Sequence, residues 1–231
     1  MTYVSAVRAA LARSGDPERA ARQQAYMKSA LPFVGLGSPA LEALLGPLLV
    51  EHRFVDRAQW EAAVLELWED ATSREEWYAA IALVRHRAHR QWLDPDVLPL
   101  LERLVRSGAW WDVVDEIAVH PVGQVLLDHR EEATRVVDAW SVDRDSLWVR
   151  RTAVLAQLRH GERTDTALLA RVLVANLDDT AYGTDFFIRK ALGWALRQHA
   201  RTDPSWVRTF VRTHADRLSG LSRREALKHL D

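Results

Sequence analysis

The chain has 231 residues, 48% of them apolar and 27% charged, with a formal net charge of -1. That length can bury a sizeable core, and the composition is that of an ordinary globular protein. It contains no cysteine, which excludes disulfides, thiolate metal sites and a cysteine nucleophile and suits an intracellular protein. No apolar run approaches the roughly 20 residues of a membrane span, and Met1–Ala12 does not read as a signal peptide.

In chain order the sequence reads as helix throughout, with a dozen or so segments joined by short loops. Asp16-Pro17 and Ser38-Pro39 place a capping side chain before a proline at the first helical position. Amphipathic segments follow over Arg57–Glu69 and Arg74–Ala88, the second opened by Ser73 and Glu76 at capping-box spacing. His86 and His89 fall three apart on that segment and read as a solvated pair rather than as metal ligands; no metal or cofactor is expected. Asp94-Pro95 starts the next helix, Asp96–Arg106. Further segments span Trp110–Ala118, Ser146–Arg159 and Asp185–Ala200. Asp203-Pro204 marks another start, and Ser222 with Glu225 predicts a capping box for the last helix.

No strand alternation or hairpin signal appears. The repeat of helical pairs, about 35 to 45 residues apart, predicts an all-α fold of HEAT-like repeats stacked into a curved solenoid with a concave groove. A compact irregular helical domain is the alternative. Without linkers or low-complexity stretches, residues 1–231 are expected to form a single domain. Phosphate-binding loops, dinucleotide loops and the serine-hydrolase elbow are absent.

Charge is unevenly distributed. From Arg144 onward there are 16 Lys or Arg against 10 Asp or Glu, whereas the first 143 residues hold 15 and 22. A basic C-terminal portion hints at a polyanionic partner, although solvated helix faces give the same asymmetry. The only lysines are Lys28, Lys190 and Lys228.

Helical geometry, at about 100° per residue, sets a few side chains apart. In Trp110–Ala118 the apolar stripe is Trp110, Val113, Val114, Ile117 and Ala118, which predicts Trp110 in the core. Trp111 and Asp115 are neighbours at i and i+4, to one side of that stripe. In Phe186–His199 the stripe is Ile188, Ala191, Leu192, Ala195 and Leu196, with Arg189, Lys190, Gly193 and Arg197 opposite. Trp194 borders that basic face, which is expected to be open and suits a sugar-phosphate chain. Arg151 lies within the apolar stripe of Ser146–Arg159, so it is either paired or lines a groove.

Those residues sit in stretches that resemble a known family: "AYMKSALPFVGLGSP" (Ala25–Pro39), "ELWED" (Glu66–Asp70), "WWDVVD" (Trp110–Asp115), "LWVRRTAVLAQL" (Leu147–Leu158), "FFIRKALGWALR" (Phe186–Arg197) and "LSRREALKHL" (Leu221–Leu230). Together, and in this order, they resemble the AlkD-like DNA alkylation-repair glycosylases, from about Tyr26 to Leu230. The resemblance implies a HEAT-like fold and a DNA N-glycosylase, a hydrolase that excises N7- or N3-alkylated purines from duplex DNA without extruding the base. It implies catalytic roles for Trp111, Asp115 and Trp194. It also implies DNA contacts from Arg151, Lys190, Arg197, Tyr26, Lys28, Arg224 and Lys228. A monomer is expected, without membrane or obligate protein partner, in the cytoplasm and on the nucleoid when bound to DNA. Two departures stand out: Gly37 lies where a polar side chain is expected to reach the minor groove, and the chain stops soon after "REALKHL". The alternatives are a helical protein that binds damaged or branched DNA without excision, and a protein-interaction scaffold.

Overall fold

The computed structural model describes residues 1–230, and among them every regular element is helical. None of these helices is long and apolar enough to cross a membrane. The chain divides into two compact units, Met1–Trp92 and Leu93–Asp231.

The first unit holds α1 (Tyr3–Ala12), α2 (Pro17–Met27), α3 (Ser38–Glu51), α4 (Arg57–Glu69) and α5 (Arg74–Arg85), then a 3-10 turn over Arg87–Trp92. Helix α1 packs on α3, α4 and α5, and Val4, Val7 and Leu11 of α1 are buried, as are Leu45, Val64, Leu67 and Leu83 of its neighbours. Asp16 caps α2 as the Asp-Pro signal predicts, accepting from the Arg19 N–H at 3.0 Å. Ser38, by contrast, is already helical and Gly37 is the cap residue. The box at Ser73 does not close either. Glu76 accepts from the Thr72 amide (2.9 Å) and hydroxyl (2.6 Å), and from Arg8 Nε at 2.8 Å.

The segment between α2 and α3 is clamped by Glu75. Its carboxylate is fully buried and accepts the successive backbone N–H groups of Val34 (2.8 Å), Gly35 (2.9 Å) and Leu36 (3.3 Å). Gly35 has φ +98°, and a Cβ there would lie 2.1 Å from the Asp16 carbonyl oxygen, so only glycine fits this turn.

Helix α5 ends at Arg85, three residues before its expected end, so His86 and His89 do not share a helical face. The expectation of a solvated pair fails for His89. Its ring is 3% exposed, stacks on Trp92 at 5.4 Å, and has Nδ1 3.1 Å from the Leu83 carbonyl oxygen. Among the described residues no group of three or more His, Cys, Asp or Glu is placed to hold a metal ion.

The second unit contains α6 (Leu98–Gly108), α7 (Trp111–Ile117), α8 (Gly123–Asp128), α9 (Arg130–Ser141), α10 (Leu147–Leu155), α11 (Thr166–Val174), α12 (Phe186–His199), α13 (Pro204–Thr213) and α14 (Gly220–Leu227). Helices α7 and α8 are joined by a π-turn over Ala118–Val122, in which the Gly123 N–H donates back to the Ala118 carbonyl. Gly123 then lies so close to the chain after α10 that a Cβ would sit 2.6 Å from the Ala156 carbonyl oxygen.

Helix α10 is the centre of this unit. It packs against α6, α7, α9, α11 and α12, and every residue from Trp148 to Leu155 is buried. A helix buried on all sides must satisfy its polar groups internally. Arg150 does so on the carbonyl oxygens of Asp143 and Ala175. Helix α14 begins two residues before Ser222, with Ser219 as its cap, so the box expected at Ser222 and Glu225 does not form.

Candidate functional site

Helix α7 starts abruptly after Ala109, a non-glycine residue at φ 37°. Trp110 is the cap residue, and Trp111 and Asp115 are one turn apart on the helix. The core assignment of Trp110 needs correction. It is half-buried and joins an aromatic cluster, with ring centroids 5.9 Å from Trp148 and 5.5 Å from Phe187. Its indole Nε1 is buried without a partner among the described residues. Trp111, the first helical residue, is also half-buried.

Asp115 meets Arg151 of α10 in a two-pronged ion pair. Nε lies 2.6 Å from Oδ1 and Nη2 lies 2.7 Å from Oδ2. The third arm of the guanidinium, Nη1, donates to the Phe187 carbonyl oxygen at the start of α12. One buried arginine therefore ties together α7, α10 and α12. Its side chain is 6% exposed and that of Asp115 is 15% exposed. Burial pushes the Asp115 carboxyl above the ordinary carboxylate range; the Arg151 guanidinium pulls it back, and Asp112 pushes it up again. Both carboxylate oxygens accept from guanidinium N–H groups, the geometry of the ionised form.

Each nitrogen of Arg151 makes one hydrogen bond inside the protein, which uses three of its five N–H groups. Arg151 thereby holds the carboxylate in place.

Helix α12 carries Trp194 two turns beyond Phe187, on nearly the same face by helical arithmetic, and half-buried. The polar side of α12 is not open as expected, because α14 covers it. A Cβ on Gly193 would lie 2.7 Å from Glu225 Cβ and 3.2 Å from Ser222 Cα. Arg197 pairs with Glu225, and Lys190 Nζ lies 3.7 Å from the same carboxylate. Arg189 pairs with Asp178 at 3.0 Å. Lys190 and Arg197 thus keep their charges partly exposed but shared with one acid.

The other expected DNA contacts lie on the surface. In the first unit Tyr26 is 75% exposed, and Lys28 is exposed at φ 51°, ending α2 in the left-handed region. In the second unit Arg224 and Lys228 are exposed on and just after α14.

These features coincide with a family likeness. A family model of DNA alkylation repair enzymes matches residues 7–230. The chain belongs to the DNA alkylation repair enzyme family. A solved structure described as a predicted DNA alkylation repair enzyme from Enterococcus faecalis is 31% identical, with a TM-score of 0.82, covering 94% of this chain and 97% of that one. No curated protein matches. In this DNA alkylation repair enzyme, the aromatic cluster of Trp110, Trp148 and Phe187 escaped sequence reasoning. The signal for it was the run of aromatics beside the site residues, Trp110 before Trp111 and Trp148 one turn before Arg151.

Proposed function

We propose that the protein is a DNA glycosylase that removes cationic N7- or N3-alkylated purines from duplex DNA, on a HEAT-like solenoid surface. The observation that carries this reading is the carboxylate of Asp115, only slightly exposed and locked by a buried guanidinium, one helical turn from Trp111.

An alkylated purine already bears positive charge, so its glycosidic bond breaks without a general acid. The bond's electron pair leaves with the base, and positive charge develops on the deoxyribose. A fixed carboxylate in a poorly hydrated setting stabilises that charge and orients the water that adds to the sugar. Trp111 and Trp194 offer ring faces to the cationic sugar and exclude bulk water. Lys190, Arg197, Tyr26, Lys28, Arg224 and Lys228 bind the backbone, with affinity that falls as salt rises. The base leaves without being extruded into a closed pocket. Neutral lesions such as uracil are poor substrates, because no group protonates the leaving base.

The test is single-turnover release of 7-methylguanine from a duplex oligonucleotide by the native protein and by Asp115→Asn. The expected outcome is release by the native protein and a rate about 10²- to 10³-fold lower in the variant. Salt-dependent binding without release would instead support the non-catalytic DNA-binding alternative.

A further inference from the structure

Lys190 and Arg197 stand two turns apart on one side of α12, and a single carboxylate from α14 is shared between them. Glu225 pairs with Arg197 through Oε2, and its Oε1 lies 3.7 Å from Lys190 Nζ. The side chains of Lys190 and Arg197 are 40% and 26% exposed, so both cations still face solvent. The one acid leaves only one of the two positive charges uncompensated.

Glu225 is fixed in that place by its helix. Its Cβ fills the space that a side chain on Gly193 would take. Three residues earlier, fully buried Ser222 donates from Oγ to the Arg189 carbonyl oxygen at 2.8 Å. The carboxylate therefore stays beside both cations whatever approaches them. It is also the exception on its own helix. Arg223 and Arg224 of α14 and Lys228 just after it are all exposed and basic, and Glu225 is the one acid from Gly220 to Lys228. Partly exposed ion pairs contribute little to stability. What this acid changes is the charge offered to a polyanion. Affinity for a nucleic-acid backbone grows with the number of phosphates that the protein neutralises, because each one releases counterions. A cation already neutralised by the protein's own carboxylate adds little to that number.

We propose that Glu225 stands in for a backbone phosphate between Lys190 and Arg197 and so holds down the affinity for undamaged DNA. The proposal rests on the reading of Lys190 and Arg197 as DNA contacts. An enzyme that inspects a long duplex must let go of the intact sites, and an acid built into the binding face competes with the phosphates at each one.

The experiment titrates the full chain with an undamaged duplex and follows fluorescence anisotropy between about 0.05 and 0.2 M salt. Glu225→Gln should bind about tenfold more tightly than the native protein near 0.1 M salt, and its log affinity should fall more steeply with log salt, by about one in slope. Glu225→Ala, which keeps the Cβ against Gly193, should do the same, and thermal midpoints report that both variants are folded. A purely structural role would leave the salt slope unmoved. In a Lys190→Gln, Arg197→Gln background the Glu225 change should have no effect. Binding by folded Glu225 variants that is no tighter than native, or a gain that persists in that background, would overturn the proposal, while binding by the native protein keeps the DNA reading. If neither the native protein nor the variants bind duplex, the DNA reading fails and the proposal fails with it.

Discussion

Arg151 shows how one side chain can decide a site. Its three arms are committed to Asp115 and Phe187, and the pair sits where water barely reaches. Replacing it with alanine strands the Asp115 carboxylate, and the loss of stability should be about 3–5 kcal/mol at neutral pH. That loss should shrink on acidification. Asp115 has a folded-state value raised above the unfolded one, so its contribution is fully present below the ordinary carboxylate value and is lost as pH rises through the folded one. Without the guanidinium, burial and Asp112 raise it further. Urea midpoints of Arg151→Ala and native protein at pH 7 and pH 5 measure the difference. Arg151→Lys keeps one charge but not the fork, and should slow single-turnover excision by about 10²-fold through misplacement of the carboxylate. The sequence made this residue conspicuous, since an arginine in an apolar stripe must be paired or line a groove. It did not name the partner, because Asp115 and Arg151 meet only once two helices have packed.

Helix α12 marks the limit of helical arithmetic. The apolar stripe of Ile188, Ala191, Leu192, Ala195 and Leu196 is buried as the pattern predicts. The opposite side was legible as polar but not as covered. Ion pairs and a glycine let α14 lie across it, and a polar face closed by a charged neighbour has the same periodicity as one facing solvent. Gly193 is the contact point, so Gly193→Ala should push α14 away or force Glu225 aside. The expected cost is about 1–3 kcal/mol, read from the thermal midpoint. Helix starts were partly legible for a related reason. Asp16 and Asp203 cap their own helices through local bonds. Ser73 and Ser222 sit in the right pattern, but their partner acids are taken by Thr72 and Arg8 in one case and by Arg197 and Lys190 in the other.

Over the whole molecule, buried imidazoles set the acid limit. Half-buried His86 and buried His89 lie in the first unit, and buried His160 and His199 in the second; desolvation lowers all four below the ordinary value of 6.5. Both ring nitrogens of His199 are without a partner among the described residues. A histidine with a depressed folded-state value contributes stability above about pH 6.5 and loses it as pH falls through the folded value. Both units should therefore weaken between pH 7 and pH 5, each group adding at most about 1.4 kcal/mol per pH unit. Asp115 acts with the opposite sign, from a lower starting value. Urea titrations across this range should show a falling midpoint, and His199→Phe should flatten the fall. At this scale the all-helical class was legible from caps and periodicity. The aromatic packing of His89 was not, because Phe54 and Trp60 reach it from other segments and Trp92 stacks on it only once Arg87–Trp92 forms a 3-10 turn rather than more of α5.

The π-turn between α7 and α8 has its own consequence. A wider turn holds one more residue than an α-helical turn, so the faces before and after it are out of phase. Asp115 lies ahead of that shift and Gly123 behind it. The side that presents the carboxylate and the side that lets α10 approach are therefore set by the number of residues between them as well as by the glycine itself. Removing any one residue from Ala118–Val122 would rotate a bulky neighbour into the place Gly123 keeps empty. In this stretch length is constrained as tightly as the buried side chains of Ala118, Pro121 and Val122.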